Sequence, residues 1–386
     1  MDNSYTSEHK RLLVVLGMHR SGTSAISRGL QVMGVQLGDR LMPVDEGNND
    51  KGFWEDIDIN ALNVEMLNAI HNDWHHLSLI TSVELEWLKS NGYFARATEL
   101  MQHKTCNIPI FGFKDPRVSK LLPFWQEVFS YCQFDVNYIL AIRHPISVAL
   151  SLAHRNGIDM EKSHLLWLIH VIKSLSGILG LSYIVLDYDK LMLNPEAELL
   201  RVARKFHLTI NLTELAQYQS GFLDQNLRHT VFNHEDLMHH DRTSDLLREV
   251  FTTVLNLSND QHLSENELRN HIQKWEAELE IMKLSFVMAD KAYMQIDAVH
   301  QQLAAKEALI SQCEQEKLHI LSESQRTTDG LSSQIAQLLQ QLSEKDSRIL
   351  QEQVNMDKLL TSRSWQITKP LRYISKLLRN RKSVQE

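Results

Sequence analysis

A glycine-rich segment near the start of the chain, residues 12–24 (LLVVLGMHRSGTS), constrains the fold most. A run of apolar β-forming residues ends at Gly17, a second glycine follows at Gly22, and a helical pattern begins after Ser24. A strand, a glycine loop and a helix in this order form a phosphate cradle, in which backbone N–H groups and the positive end of the helix converge on an anion. The segment therefore predicts an α/β fold that binds an anionic group.

The loop differs from a nucleoside-triphosphatase loop at one position. That loop reads GxxxxGK[ST], and here Gly17 and Gly22 keep the spacing while Thr23 stands where the lysine belongs. The cation lies inside the loop instead, at Arg20. This arrangement favours a phosphate group that is not part of a magnesium–triphosphate unit.

Composition narrows the class of protein further. A chain of 386 residues holds one large domain plus an extension, or two domains. The net charge of −8 argues against a general nucleic-acid binding protein. The polar first eleven residues lack a signal-peptide pattern, and no apolar run is long enough to cross a bilayer. Three widely separated cysteines fit a reducing cytoplasm, and 19 scattered histidines lack zinc spacing, so we expect a cytoplasmic protein without a metal.

Short β-rich runs alternate with helical stretches between residues 10 and 255. Apolar runs without strict alternation are typical of buried parallel strands. The predicted strands are residues 12–16, 108–113, 136–142 and 183–186, and the clearest helices are residues 25–33 and 145–154. The pattern predicts a parallel sheet flanked by helices, with ligands bound beyond the carboxyl ends of the strands.

The composition changes near residue 260 to a stretch rich in Gln, Glu, Leu, Lys and Ser. Apolar residues recur there at heptad spacing, although Lys345 and Glu352 occupy seam positions and residues 323–330 break the register. The seam residues are Ile296, Leu303 and Ile310, then Leu331, Ile335, Leu338, Leu342, Ile349 and Met356. We expect a coiled coil over residues 263–360, formed with a second copy or a partner helix. The alternative is one long solvated helix.

The last segment, residues 361–386, mixes apolar residues that include Trp365 with seven lysine and arginine residues. Pro370 suits the first turn of a helix, and apolar residues 371, 374, 377 and 378 then fall on one face. A basic amphipathic helix with tryptophan binds anionic membrane surfaces. The tail therefore predicts peripheral membrane contact, and the alternative is a helix that covers the end of the coiled coil.

Three further segments carry residues suited to catalysis. The first, residues 48–55 (NNDKGFWE), is a polar loop that ends in a carboxylate. The second, residues 113–117 (FKDPR), follows a predicted strand, and Pro116 keeps Asp115 out of a helix, so this turn lies at a strand end. The third, residues 143–155 (RHPISVALSLAHR), places Ser151 and Arg155 on one helix face by their i,i+4 spacing.

Together these motifs resemble the sulfotransferase family, and the GFWED and KDPR forms resemble its bacterial members most, over roughly residues 11–210. The resemblance implies a P-loop-like fold and PAPS (3′-phosphoadenosine 5′-phosphosulfate) as the sulfuryl donor, with no metal. An RSGT-type loop grips the 5′-phosphosulfate in the family. The resemblance carries this role onto Arg20, Ser21, Gly22, Thr23 and Ser24.

The remaining roles also follow from the resemblance. An arginine followed eight residues later by a serine grips the 3′-phosphate, which matches Arg143 and Ser151, and Arg155 matches a further arginine of some members. Lys114 matches the lysine that assists transfer. Glu55 matches the carboxylate that serves as base.

Asp56 and His19 are alternatives to Glu55 for the role of catalytic base. Each of the other residues also has a structural alternative: a cation bracing the loop, a salt bridge, a helix cap or a buried helix serine. The motifs carry the assignment because they occur together and in the family's order.

The sequence thus predicts a sulfotransferase domain over residues 11–258, after a disordered N-terminus at residues 1–10. The predicted activity is transfer of a sulfuryl group from PAPS to a hydroxyl or amine, with a glycan or glycolipid as the expected acceptor. One alternative is a P-loop nucleotide kinase or related phosphotransferase. The other is an inactive scaffold protein whose coiled coil is the functional part.

Overall fold

The computed structural model describes residues 10–45, 51–224, 232–261 and 263–382. The predicted disordered N-terminus, apart from residue 10, lies outside these ranges, as do residues 48–50 of the polar loop and the last four residues of the tail. Four strands form one sheet: β1 (Arg11–Leu16), β2 (Ile110–Lys114), β3 (Asp135–Ile142) and β4 (Tyr183–Asp187).

The sheet is entirely parallel, with the strand order β2-β1-β3-β4. Val14 of β1 lies opposite Phe113 of β2 on one side and opposite Tyr138 of β3 on the other, which defines the register of these three strands. Each predicted strand is confirmed, with ends that differ by one or two residues. The run at residues 184–187 is part of β4, as expected of a core strand.

Helices connect the strands and cover the sheet. The two predicted helices are confirmed: one begins directly after the glycine loop, and the other begins at Pro145 and ends before Gly157, whose φ of 66° caps it. The helices of the first part of the chain are α1 (Thr23–Gln31), α2 (Ile57–Ala69), α3 (Ser82–Ser90), α4 (Tyr93–Lys104), α5 (Val118–Tyr131), α6 (Pro145–Asn156), α7 (Met160–Ile178), α8 (Tyr188–Leu193) and α9 (Pro195–Lys205).

The later helices begin with short segments and end with one very long helix. They are α10 (Leu212–Gln217), a π-helical turn (Tyr218–Phe222), α11 (His234–Met238), α12 (Asp245–Ser258), α13 (Glu265–Ile281), α14 (Lys283–Thr361), α15 (Arg363–Ile367) and α16 (Lys369–Lys382). Among the helices within the described ranges, none combines the length and the apolar character that a membrane span requires.

The core lies on both faces of the sheet. Leu12 and Val14 of β1 pack on one face, while Leu13 and Val15 pack on the other, and all four are fully buried. Because successive side chains of a strand point to opposite faces, a strand buried on both sides is apolar throughout. This is why β1 has no alternating pattern and why its carboxyl end is held rigidly below the glycine loop.

The compact α/β unit extends to residue 295, beyond the boundary predicted at residue 258. Helix α13 carries apolar residues at heptad spacing, but they are buried in the same core as the sheet instead of forming a coiled-coil seam. Its buried residues are Leu268, Ile272, Trp275 and Leu279, and Phe286 of α14 joins them. The predicted coiled-coil segment therefore begins about 30 residues too early.

The second unit comprises residues 296–386. Its first part is the continuation of α14, which is unbroken through residues 323–330, so the register change there does not end the helix. The seam residues Ile335, Leu342 and Ile349 are each more than half exposed. The long helical extension is confirmed, and its assembly into a coiled coil remains a prediction. Helix α16 begins beside Pro370, as the tail pattern predicts.

Candidate functional site

The glycine loop, residues 17–22, leaves the carboxyl end of β1 and leads into α1. A Cβ on Gly17, whose φ is 139°, would lie 2.5 Å from the carbonyl oxygen of Ala141 in β3. A Cβ on Gly22, whose φ is 77°, would lie 2.0 Å from the ring of Tyr188. Both the backbone angle and the close approach therefore require glycine. The loop lies directly against the ends of the neighbouring strands.

Arg20 lies within this loop and adopts a left-handed backbone conformation, with φ of 69°. A side chain in this region costs about 1–2 kcal/mol relative to glycine. The Nε atom donates a hydrogen bond of 2.7 Å to Oγ of Ser151 on α6. Burial lowers the pKa of Arg20, and the guanidinium groups of Arg155 and Arg143 lower it further. The three guanidinium groups thus repel one another in a partly buried site. A bound anion would offset this repulsion.

Arg143 follows β3 and lies above the ring of Tyr188, with 4.8 Å between the guanidinium carbon and the ring centroid. One terminal nitrogen donates to the carbonyl oxygen of Arg20 at 3.3 Å. Its Nε and the hydroxyl of Ser147, one turn before Ser151, are buried and have no hydrogen-bond partner among the residues that the structure describes. Buried donors are normally satisfied. These two therefore fit the oxygen atoms of a bound anion such as a phosphate.

Lys114, the last residue of β2, makes an ion pair with Glu55 across 2.5 Å. Its Nζ also donates to the carbonyl oxygen of Phe53 at 2.9 Å and approaches Oγ of Ser24 at 3.4 Å. Burial raises the pKa of Glu55, Lys114 opposes this increase, and Asp115 adds to it. A carboxylate with a raised pKa is a stronger base than an exposed one. The pair thus places a base and a cation at the edge of the loop.

The turn after β2 is braced by Asp115, whose role the sequence did not reveal. Its carboxylate accepts hydrogen bonds from Nδ2 of Asn63 at 2.9 Å and from the backbone N–H of Arg117 at 2.9 Å. Arg117 also forms an ion pair with the same carboxylate at 3.0 Å. Asn60 donates to Glu55 at 2.7 Å. The α2 helix therefore fixes both acidic side chains from one face.

Asp56, an alternative base, has a structural role. Its carboxylate caps α2 by accepting from the backbone N–H groups of residues 58 and 59, and it forms an ion pair of 2.9 Å with Lys104. Asp39 and Asp58 complete a cluster of three carboxylates around this ammonium group. Lys104 already supplies the positive charge of the cluster. Asp56 does not line the cleft described below.

His19, the other alternative base, lies beside the loop with its ring 4.4 Å from that of Trp74. Its Nε2 is buried, and no group within the described part of the chain makes a hydrogen bond with it. Burial holds the pKa of His19 well below its usual range, and the positive charges of Arg117 and Arg155 lower it further. The lowered pKa makes this ring a weaker base than an exposed histidine. His19 remains an alternative to Glu55.

These groups surround one cleft of about 550 Å³ at the carboxyl ends of the strands. Ser21 is the exception among the residues predicted for the site: its side chain is buried, its N–H donates to Met18, and it does not line the cleft. The predicted residues that line the cleft are Arg20, Gly22, Thr23, Ser24, Glu55, Lys114, Arg143, Ser151 and Arg155.

Ser147 and Tyr188 are among the cleft residues that the sequence motifs did not indicate. Ser147 is four residues before Ser151 on α6, so the i,i+4 rule that links Ser151 with Arg155 also predicts its position. Tyr188 directly follows β4, and only its place at a strand end connects it with the site. Its ring separates Gly22 from Arg143, and this contact depends on the tertiary structure.

Comparison with known proteins gives matches among solved structures only. No protein-family model and no curated protein matches the sequence. A sulfotransferase domain of the Synechococcus PCC 7002 olefin synthase is 13% identical with a TM-score of 0.35, covering 70% of this chain and 96% of that one. A sulfotransferase domain of the curacin biosynthetic pathway is 14% identical with a TM-score of 0.36, covering 70% and 98%. A Mycobacterium tuberculosis H37Rv sulfotransferase is 12% identical with a TM-score of 0.30, covering 68% and 76%. At these values the similarity identifies no donor and no acceptor.

Proposed function

We propose that the cleft binds PAPS and transfers its sulfuryl group to a hydroxyl or amine acceptor. The observation that carries the proposal is the hydrogen bond between Arg20 and Ser151. It joins the glycine loop to the R-x7-S motif, although the two motifs lie 131 residues apart in the chain. The motifs that resemble the sulfotransferase family thus meet at one cleft, together with the third motif at Lys114.

Two groups of residues fit the two ends of such a donor. The N-terminus of α1, with Thr23 and Ser24, faces the cleft and suits a phosphate or sulfate through its N–H groups and dipole. Arg143 lies across the cleft, its buried Nε has no partner within the described ranges, and it suits a second phosphate. A donor with two separated anionic ends satisfies both groups.

The residues around the reacting group supply charge and accept a proton. The donor contributes a sulfuryl group on a phosphate leaving group. Lys114 and Arg20 stabilise negative charge that develops on the leaving side, which is the main source of acceleration where the transition state is loose. Glu55 takes the proton of the acceptor, a step worth about 10²–10⁴ in rate. Its ion pair with Lys114 keeps the carboxylate charged until the lysine turns to the leaving group.

The acceptor and the cellular setting belong to the same proposal. We place a glycan or glycolipid hydroxyl in the acceptor role, with the extension bringing the enzyme to its substrate. The exposed heptad seam of α14 supports self-association or a partner helix. The seven cations of the tail and Trp365 support contact with an anionic membrane surface.

Binding of nucleotides tests the donor assignment directly. Isothermal titration of the purified chain with adenosine 3′,5′-bisphosphate should show binding, and ATP with Mg²⁺ should bind far more weakly. Tight binding of ATP–Mg²⁺ with no affinity for the bisphosphate would favour a nucleotide kinase. A chain that binds neither would be the scaffold protein. Transfer of ³⁵S from labelled PAPS to a panel of polysaccharides and glycolipids then identifies the acceptor.

A further inference from the structure

An irregular segment next to the cleft, residues 72–78, presents Trp74 to two residues of the site. The indole lies 4.4 Å from the ring of His19 and 5.6 Å from the guanidinium carbon of Arg155. A guanidinium above an indole is held by the ring quadrupole, and this contact is stronger where water is excluded. The orientation of Arg155 toward the cleft therefore depends on where the segment at residues 72–78 lies.

A buried lysine holds one end of this segment. Nζ of Lys120 on α5 donates to the side chain of Asn72 at 2.6 Å and to the backbone carbonyls of Asp73 and His76 at 2.8 and 2.9 Å. All three donors of the ammonium group are thereby used within the segment. Burial lowers the pKa of Lys120 to about 7. Lys120 ties the residues on both sides of Trp74 to the domain.

A buried carboxylate on α14 holds the other end. Asp290 accepts from the backbone N–H groups of Leu77 and Ser78 at 2.8 and 2.7 Å, and from the hydroxyl of Ser78 at 2.5 Å. Its exposed fraction is 5%. Hydrogen bonds to a charged acceptor are stronger than neutral ones. This end of the segment that carries Trp74 is therefore fixed by one residue more than 200 positions away in the chain.

One turn later, α14 also contacts the connection between α6 and α7, which follows Arg155 in the chain. The hydroxyl of Tyr293 donates to Asp159 at 3.2 Å, and the ammonium group of Lys162 lies 3.6 Å from the centre of the Tyr293 ring. Asp159 lies in the short connection after α6 and directly precedes the first residue of α7. Arg155 lies in the last turn of α6. The start of α14 therefore contacts both structures that flank this arginine.

We propose that Asp290 and Tyr293 are positioning residues that hold Arg155 in place for anion binding in the cleft. The proposal rests on the proposed function, in which Arg155 contacts the donor. It assigns the start of α14, which precedes the long extension, a part in the site. Substitutions in the first turns of this helix would then change the affinity for the donor.

A double-mutant cycle tests this coupling in the full-length chain. We expect Asp290→Asn and Tyr293→Phe each to weaken binding of adenosine 3′,5′-bisphosphate by about threefold to tenfold in titration calorimetry, the range expected for residues in one network. In a chain that already carries Arg155→Ala, the same substitutions should change the affinity little. Tyr293→Phe keeps the ring over Lys162 and removes a single hydrogen bond, so it should leave the melting temperature nearly unchanged. Asp297→Asn, an exposed position on the same helix, is the matched control.

Hydrogen exchange gives a second readout that does not depend on ligand. Asp290→Asn should speed exchange of the amides of Leu77 and Ser78, which the carboxylate protects. Equal losses of affinity with and without Arg155 would overturn the positioning role, because a general structural effect does not need this side chain. Unchanged affinity in both variants, with normal binding by the wild type, would overturn it as well. A wild type that does not bind the nucleotide would instead overturn the proposed function, and the positioning role with it.

Discussion

Nζ of Lys114 and Oε1 of Glu55 are separated by 2.5 Å in the interior of the protein. The cation proposed for the leaving group and the proposed base therefore neutralise each other before substrates bind. A buried pair of this kind is costly to break from one side only, because the remaining charge is left without a partner. Each residue depends on the other, and their substitutions should not act independently.

Glu55→Gln should lower kcat by about 10²–10⁴, since the amide cannot accept the acceptor's proton. Affinity for adenosine 3′,5′-bisphosphate should change little. Lys114→Met should also lower kcat, and the double variant should lose less than the sum of the two effects. Steady-state kinetics with Glu65→Gln, an exposed glutamate on α2, as control checks this. Full turnover in Glu55→Gln would transfer the role of base to His19 or to the acceptor itself.

Arg143→Ala should raise the dissociation constant of adenosine 3′,5′-bisphosphate by about tenfold or more, as expected for loss of a charge-assisted contact. Ser151→Ala should have a smaller effect, because it removes a neutral partner of Arg20. The matched control is Arg269→Ala on α13, a half-exposed arginine that does not line the cleft. Calorimetry that gave the same affinity for wild type and Arg143→Ala would contradict the donor assignment.

The length of the domain predicts the outcome of two truncations. A chain ending at residue 260 lacks α13 and the start of α14, and so loses core side chains worth about 1.5–3 kcal/mol each. It should be insoluble or lack a cooperative thermal transition. A chain ending at residue 295 should fold and bind the nucleotide as well as the full-length protein does. Circular dichroism and calorimetry on both chains decide the matter, and a cooperative melt of the shorter one would contradict the role of α13.

Acid should destabilise the domain through buried histidines. Burial lowers the pKa to about 4 for His144, to about 4 for His164 and to about 3 for His170, below the unfolded value. The folded state then binds fewer protons than the unfolded state. The contribution of these histidines to the free energy of unfolding is therefore complete above pH 6.5 and is lost as the pH falls toward 4. Each histidine contributes roughly 1 kcal/mol per pH unit within this window.

Urea unfolding between pH 7 and pH 4.5 measures this dependence. His164→Gln and His170→Gln should each flatten the slope of the free energy of unfolding against pH. His300→Gln, at an exposed position of α14, should leave the slope unchanged. Slopes that do not differ among the three variants would show that other groups govern acid unfolding.

Removal of residues 361–386 should abolish binding to anionic vesicles at low salt. The tail concentrates seven cations and Trp365, and each juxtamembrane cation contributes about 1 kcal/mol near a negative surface. Binding of the intact chain should weaken as salt rises, because salt screens this attraction. Sedimentation with phosphatidylserine vesicles, with phosphatidylcholine vesicles as the control, tests it. An intact chain that stays in the supernatant would leave the tail as a protein-docking helix.

The strands were predictable because burial on both faces of a parallel sheet demands apolar β-forming runs. The convergence of the candidate residues on one cleft was predictable because ligands bind where such strands end: Lys114 ends a strand, and the glycine loop and Arg143 each follow one. Tyr188 and Trp74 were not predictable. They contact the site through tertiary packing, and no local pattern specifies which ring meets which arginine.

The predicted end of the domain, residue 258, differs from the observed one for another physical reason. Leu268, Ile272, Trp275 and Leu279 are spaced as in a heptad, and this spacing predicts correctly that one helix face is buried. It does not say what covers the face. A neighbouring helix of the same domain and a second chain satisfy the pattern equally well, so the sequence alone assigned α13 to the coiled coil.

The left-handed backbone of Arg20 affects how substitutions at this position would change the stability of the protein. At φ of 69° a glycine would relieve strain, so selection for thermal stability alone would tend to remove the arginine. The arginine keeps this strained backbone and in return donates the hydrogen bond to Ser151. Backbone strain and the proposed anion binding therefore favour different residues at this single position, and a library screened only for folding would select glycine there more often than one screened for nucleotide binding.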